Sequence, residues 1–140
     1  MTNTGEAGFD IAACRANLEA RYRRRFRARE EQRLAALRAL RVAARSVLPR
    51  FPRVRRAYLF GSVLRPGALR STSDVDVAFE GELDAQEYFA LWRALEREAP
   101  DWVIDLVDLG RDVRFTDLIR EHGELIYGRP DSDAESEHPG

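Results

Sequence analysis

Leu59-Phe60-Gly61-Ser62-Val63-Leu64-Arg65-Pro66-Gly67-Ala68-Leu69-Arg70-Ser71-Thr72-Ser73-Asp74-Val75-Asp76-Val77-Ala78-Phe79 is the stretch that decides the fold. An apolar run enters a Gly-Ser turn, a basic loop with Pro66-Gly67 follows, and a second apolar run carries Asp74 and Asp76. Side chains two apart on a β-strand share a face. Asp74 and Asp76 therefore project side by side, while Val75, Val77 and Phe79 face a core. Neighbouring carboxylates repel unless a cation lies between them. Such oxygen donors suit Mg²⁺, commonly held by one or two carboxylates together with substrate phosphates. The upstream turn offers backbone N–H groups and the Ser62 hydroxyl to those phosphates. The plain alternative for two aspartates so spaced is a solvated strand face. The Gly-Ser turn before them, with both motifs at strand ends, favours a metal–nucleoside triphosphate site.

Outward from this stretch the pattern alternates helix and strand. Residues 1–8 are polar and are expected to be disordered. A helical segment is expected over residues 9–48, as one helix or two. Leu18, Tyr22 and Phe26 recur every four residues, and Leu34, Leu37, Leu40, Ala44, Val47 and Leu48 continue an apolar stripe ended by Pro49 and Pro52. That stripe reads as a packing surface. The core is expected over residues 49–128, with strands at Ala57–Phe60, Asp74–Phe79, Trp102–Leu109 and, last and shortest, Glu124–Tyr127. Asp84 with Glu87 forms a capping box for a helix ending at Pro100, and a helix over Val113–Glu121 is closed by Gly123. Residues 129–140 read as an acidic flexible tail. The fold class is α/β: a small mixed β-sheet backed by helices, with the long N-terminal helical segment packed alongside.

The net charge of −1 hides a split. Residues 1–56 carry fifteen arginines against five acids, and residues 57–140 carry eight against nineteen. There is no lysine, which excludes Schiff-base and Walker-type chemistry. The arginines between Arg21 and Arg29 read in three ways: a solvated helix face, a nucleic-acid phosphate surface, or a docking face for an acidic partner. Thin aromatic interleaving disfavours nucleic acid. No apolar run is long enough for a membrane span, and no secretion signal opens the chain. The single Cys14 fits a reducing cytosol, is expected to be a small buried or half-buried apolar residue, and makes a cytoplasmic location the expectation. His122 and His138 are not spaced for zinc.

A third carboxylate is expected beside the pair. Asp105 lies within the apolar run Trp102-Val103-Ile104-Asp105-Leu106-Val107, where burial without a partner costs several kcal/mol that a metal offsets. Its plain alternative is an edge-strand aspartate reaching water. Asp108 competes but falls on the opposite strand face, so parity favours Asp105. Arg65 and Arg70 lie between the motifs and are candidates for neutralising triphosphate charge.

Gly61-Ser62, eleven residues, then Asp74-x-Asp76 resembles the signature of the DNA polymerase β-type nucleotidyltransferases. The short length, the run Ser73 to Gly81 and the run Val103 to Leu109 resemble the minimal nucleotidyltransferases of that superfamily, many of them antitoxins encoded beside a HEPN toxin. The resemblance implies that Asp74, Asp76 and Asp105 are catalytic and metal-binding. The first two would hold two Mg²⁺ ions, and Asp105 would help deprotonate the attacking hydroxyl. Gly61, Ser62, Arg65 and Arg70 would bind the nucleotide. It further implies transfer of AMP, or another nucleoside monophosphate, from ATP or a related triphosphate to a hydroxyl. The acceptor expected is a tyrosine of a HEPN ribonuclease toxin. The rivals are a small-molecule or RNA acceptor, and an antitoxin that neutralises by binding alone. Pro66 and the eleven-residue spacing make the loop longer than the family pattern.

Overall fold

The computed structural model describes residues 10–111 and 113–128. The expected disordered start and acidic tail lie outside the described residues. Chain order is α1 (Ile11–Val47), β1 (Val54–Phe60), β2 (Val75–Gly81), α2 (Ala85–Glu98), β3 (Ile104–Asp108), α3 (Val113–His122) and β4 (Glu124–Gly128). Short 3₁₀ turns occupy Leu48–Arg50, Gly61–Leu64 and Leu109–Arg111. The sheet order is β3-β2-β1-β4, with β1 antiparallel to β2 and β4, and β2 parallel to β3. This is the mixed sheet expected from the sequence, with all four strands present.

Helix α1 is a single 37-residue helix, about 55 Å long. It contains no glycine or proline and is rich in Ala, Leu and Arg, all strong helix formers. Asp10 caps its start by accepting from the Ala13 N–H. Only its C-terminal part enters the core: Ala36, Leu37, Leu40, Ala43, Ala44 and Val47 are buried. The expectation of a helix packed alongside along its length is corrected for the N-terminal half. Leu18, Tyr22 and Phe26 are 46, 65 and 49% exposed, because the helix runs past the edge of the small sheet. Cys14 sits on the same projecting part and is exposed, contrary to expectation.

The sheet separates two apolar layers. On one face Val75, Val77, Phe79, Ile104 and Leu106 pack against α1 and against Leu91, Ala94 and Leu95 of α2. The capping box of α2 forms as predicted, with Asp84 accepting from Glu87 N–H and Glu87 from Asp84 N–H. Its side chains also close the outer edge of β3. Tyr88 Oη donates to Leu106 O at 2.5 Å, Trp92 Nε1 donates to Ile104 O at 2.8 Å, and Glu96 accepts from Ile104 N–H at 3.2 Å. Far from α2, Arg41 of α1 forks onto Glu124 of β4 at 2.6 and 2.8 Å.

The other face is covered by α3 through a smaller cluster of Tyr58, Ala78, Leu109 and Ile119. Within it Glu80 is only 4% exposed. Arg120 donates both fork nitrogens to it at 3.0 and 2.6 Å, and Tyr58 Oη donates at 2.7 Å. These cations and donors, Arg120 foremost, hold the Glu80 carboxyl below its usual range, while burial and Glu80 push the Tyr58 hydroxyl up to about 12. A lowered carboxylate stabilises the fold above the ordinary carboxylate value and loses that contribution as pH falls through its native value. Arg120→Ala should therefore destabilise the protein by about 1–3 kcal/mol at neutral pH, with the deficit shrinking on acidification. Arg114→Ala, at an exposed position on the same helix, should change stability by under about 0.5 kcal/mol. Urea unfolding at pH 7 and pH 3 measures both; equal deficits at the two pH values would contradict the assignment.

Candidate active site

The backbone ladders bring the predicted carboxylates together. Asp76 of β2 lies opposite Phe60 of β1 on one side and Asp105 of β3 on the other. Partners in register project from the same face, so Asp76 and Asp105 stand side by side. Asp74 precedes the strand by one residue and shares that face by parity. Asp108 pairs with Phe79, caps its own turn by accepting from Gly110 N–H, and stays away from this group. The parity argument for Asp105 thus describes the observed placement. The burial argument does not: β3 is an edge strand and Asp105 is exposed.

The charges of Asp74 and Asp105 are felt at Asp76. The Asp76 carboxyl is raised above its usual range by partial burial first, then by the charges of Asp105 and Asp74, with Arg65 opposing. Among the described residues no group of three or more His, Cys, Asp or Glu side chains is gathered tightly enough to hold a metal alone. The donor set fits Mg²⁺ of the kind completed by substrate phosphates and water, for which one or two protein carboxylates suffice. The half-buried Asp76 lies in register with Asp105, and a cation between such neighbours would offset both burial and repulsion.

The turn after β1 is built against this aspartate. Gly61 has φ +80, a backbone conformation that L side chains rarely adopt. A Cβ there would come within 2.2 Å of Asp76 Oδ2. Glycine is thus required by close approach to the carboxylate as well as by φ, a reason the sequence alone did not reveal. Ser62 follows in the 3₁₀ turn Gly61–Leu64, whose backbone closes with Arg65 N–H donating to Ser62 O at 3.1 Å. The two loop arginines part company. Arg65 acts on Asp76 electrostatically, whereas Arg70 lines a groove with Arg25, Arg29 and Gln32 of α1. A second groove of about 360 Å³ opens beside Gly61, lined by Phe60, Leu64, Arg65, Phe115 and His122 among others. Phe115 and His122 were missed because nothing in their spacing ties α3 to the Gly-Ser turn; the link is the T-shaped packing of Phe115 on Phe60 at 5.6 Å.

Because folding raises Asp76, the native state keeps a proton that the unfolded chain has already released. Stability therefore falls as pH rises from the ordinary Asp value through the raised one. Asp76→Asn removes this penalty. In metal-free buffer at pH 7 the variant should melt up to about 4 °C above wild type. The difference should close below about pH 3, where aspartate is protonated in both states. Calorimetric melting at the two pH values checks this, and a variant less stable than wild type at pH 7 would contradict it.

Comparison with known proteins follows the same geometry. A search by sequence among curated proteins returns no match. Among solved structures, a toxin–antitoxin with AMP-PNP is similar at 26% identity and TM-score 0.54, covering 67% of this chain and 77% of that one. A toxin–antitoxin MntA–HpeT mutant is similar at 25% identity and TM-score 0.50, covering 66% and 73%. A tri-AMPylated Shewanella oneidensis HEPN toxin in complex with MNT antitoxin gives 24% identity and TM-score 0.46, covering 68% and 77%. The family profile described as Polymerase beta, Nucleotidyltransferase matches residues 44–132, well over half of the chain. With the Gly-Ser turn set against Asp76 of β2, and Asp105 of β3 beside it, the chain belongs to the polymerase beta nucleotidyltransferase family.

Proposed function

We propose that this nucleotidyltransferase moves AMP from ATP to a tyrosine hydroxyl of a HEPN ribonuclease toxin and thereby acts as its antitoxin. The reading is carried by the in-register pair Asp76 and Asp105, with Asp74 one residue before the strand and the Gly61 turn against Asp76. It is supported by the likeness to a toxin–antitoxin structure with AMP-PNP. Asp74 and Asp76 would hold Mg²⁺ together with the triphosphate, and Asp105 would join them. The ions, when bound, stabilise the attacking and leaving oxygens at the α-phosphate. Asp105, exposed at the sheet edge, would receive the proton of the incoming hydroxyl. The Gly61 backbone and Ser62 would hold the outer phosphates, with Arg65 as counter-charge. Arg70 would add a further positive charge from the groove it lines with α1. No helix among the described residues is long and apolar enough to cross a membrane, and a cytoplasmic location accords with this reading.

Asp74→Asn combined with Asp76→Asn should leave the fold intact and lower Mg²⁺-dependent transfer at least about 100-fold. Intact mass of the partner toxin, after incubation with Mg²⁺ and each nucleoside triphosphate, reads donor and acceptor together. Mass additions that persist at the wild-type rate with the folded double variant would sink the assignment.

The arginine-rich part of α1 serves docking in this reading. It lies before residue 44, where the family match begins, and it leaves Leu18, Tyr22 and Phe26 exposed beside its cations. Exposed charges mainly set association rate and its salt dependence. Changing Arg23, Arg24 and Arg27 to Gln should slow complex formation about tenfold at low ionic strength and leave Mg–ATP affinity unchanged. Stopped-flow association measures the first and calorimetry the second. Tight, salt-sensitive nucleic-acid binding lost in the same variant would overturn docking in favour of a nucleic-acid surface.

A further inference from the structure

The loop of residues 63–73 joins the Gly-Ser turn to Asp74 and carries Arg65, the cation that acts on Asp76. Its own hydrogen bonds are local: Ala68 N–H to Arg65 O, Ser73 N–H to Arg70 O, and Arg70 N–H to the Ser73 hydroxyl. Val63 and Leu69 are both buried in the core. The stretch between them is held from outside, by α1. Glu30 Oε2 accepts from Gly67 N–H at 2.5 Å. Arg33 donates to Val63 O at 3.2 Å and forks onto Glu30 at 2.9 Å through both nitrogens. Arg33 first, then the Gly67 amide, keep Glu30 ionised below its usual range. The Phe26 ring packs against Gly67, where a Cβ would come within 2.6 Å of it, and Gly67 has φ +74. All three α1 residues precede residue 44, so the loop is fastened by a part of the chain outside the family match.

We infer that Phe26, Glu30 and Arg33 are positioning residues for the nucleotide-binding loop, fastening Gly67 and Val63 so that Arg65 is held beside Asp76. The inference rests on the nucleotidyltransferase site proposed above and adds to it a brace that the family match does not contain. Glu30 is the keystone, because it meets both the loop amide and the guanidinium that reaches Val63. Without it Gly67 N–H loses its acceptor and Arg33 loses the fork that aims it. The stretch between the buried Val63 and Leu69 then loses its outside hold, and Arg65 within it spends less time beside the carboxylates.

The test uses the full chain with Glu30→Ala and Glu30→Gln. Gln keeps an oxygen for Gly67 N–H and gives up the charged fork. In nucleotide-free protein, hydrogen exchange of residues 63–70 should quicken about tenfold in Glu30→Ala, with β1 and β2 unchanged. Calorimetry with Mg–AMP-PNP should show the dissociation constant rising about three- to tenfold in Glu30→Ala, with Glu30→Gln recovering most of the affinity. Wild-type affinity in Glu30→Ala overturns the brace, whether or not the loop exchanges faster. Faster exchange throughout the sheet overturns it too, by making Glu30 a general stability residue. Wild-type protein that binds no Mg–AMP-PNP refutes the nucleotide site itself, an outcome separate from the others.

Discussion

Strand β2 is hydrogen-bonded on both sides, antiparallel to β1 and parallel to β3. The two ladders lock Phe60, Asp76 and Asp105 into one row across the sheet. A slip of one residue would send Asp76 into the layer under α1 and α2 and bring Val75 or Val77 out among the carboxylates. Burial of Val75, Val77 and Phe79 forbids that slip, since each would forfeit its place in the core. The apolar side of β2 thus secures the position of its polar side. The Gly61 turn, the loop to Asp74 and the brace from α1 are all laid out around this row.

Two carboxylates on the same face of β2 are treated in opposite ways. Glu80, near the strand's end, is buried under α3 and neutralised by Arg120, with Tyr58 adding a hydrogen bond. Asp76, four residues earlier, is left among other acids with only Arg65 opposing them. One end of the face is complete in itself and fastens α3 to the sheet. The other end lacks positive charge, and a cation-bound triphosphate would supply it. Unequal treatment of like groups separates a structural carboxylate from one kept for chemistry.

Much of this arrangement is legible in the order of the residues. Alternation along Val75 to Phe79, the capping box at Asp84 and the breakers Pro49 and Pro100 are local signals, and local signals survive in sequence. The shared face of Asp74 and Asp76 also follows from parity, whereas the place of Asp105 beside Asp76 depends on the register of β3 with β2. What was hidden depends on distance across the fold. The exposure of Cys14 and Tyr22 follows from the sheet being too small to cover α1, and no window of sequence carries the size of a sheet. Glu80 meets Arg120 forty residues on, and Arg70 lines a groove with Arg25, Arg29 and Gln32 of α1. These are long-range pairings with no spacing rule to announce them.

The closing of the β3 edge by Tyr88, Trp92 and Glu96 bears on how another protein can approach. Sheet edges ordinarily invite an extended peptide to pair with them, and many recognition modules use this. Here the outward backbone groups of Ile104 and the carbonyl of Leu106 are already engaged by side chains four residues apart on α2. An incoming chain cannot add a strand beside Asp105. A protein approaching Asp105 would meet it on the side of the sheet that bears Asp76 and not along the strand edge. The same closure denies neighbouring copies a template for edge-to-edge growth, so an enzyme with a bare carboxylate at its margin is spared the usual hazard of an exposed strand.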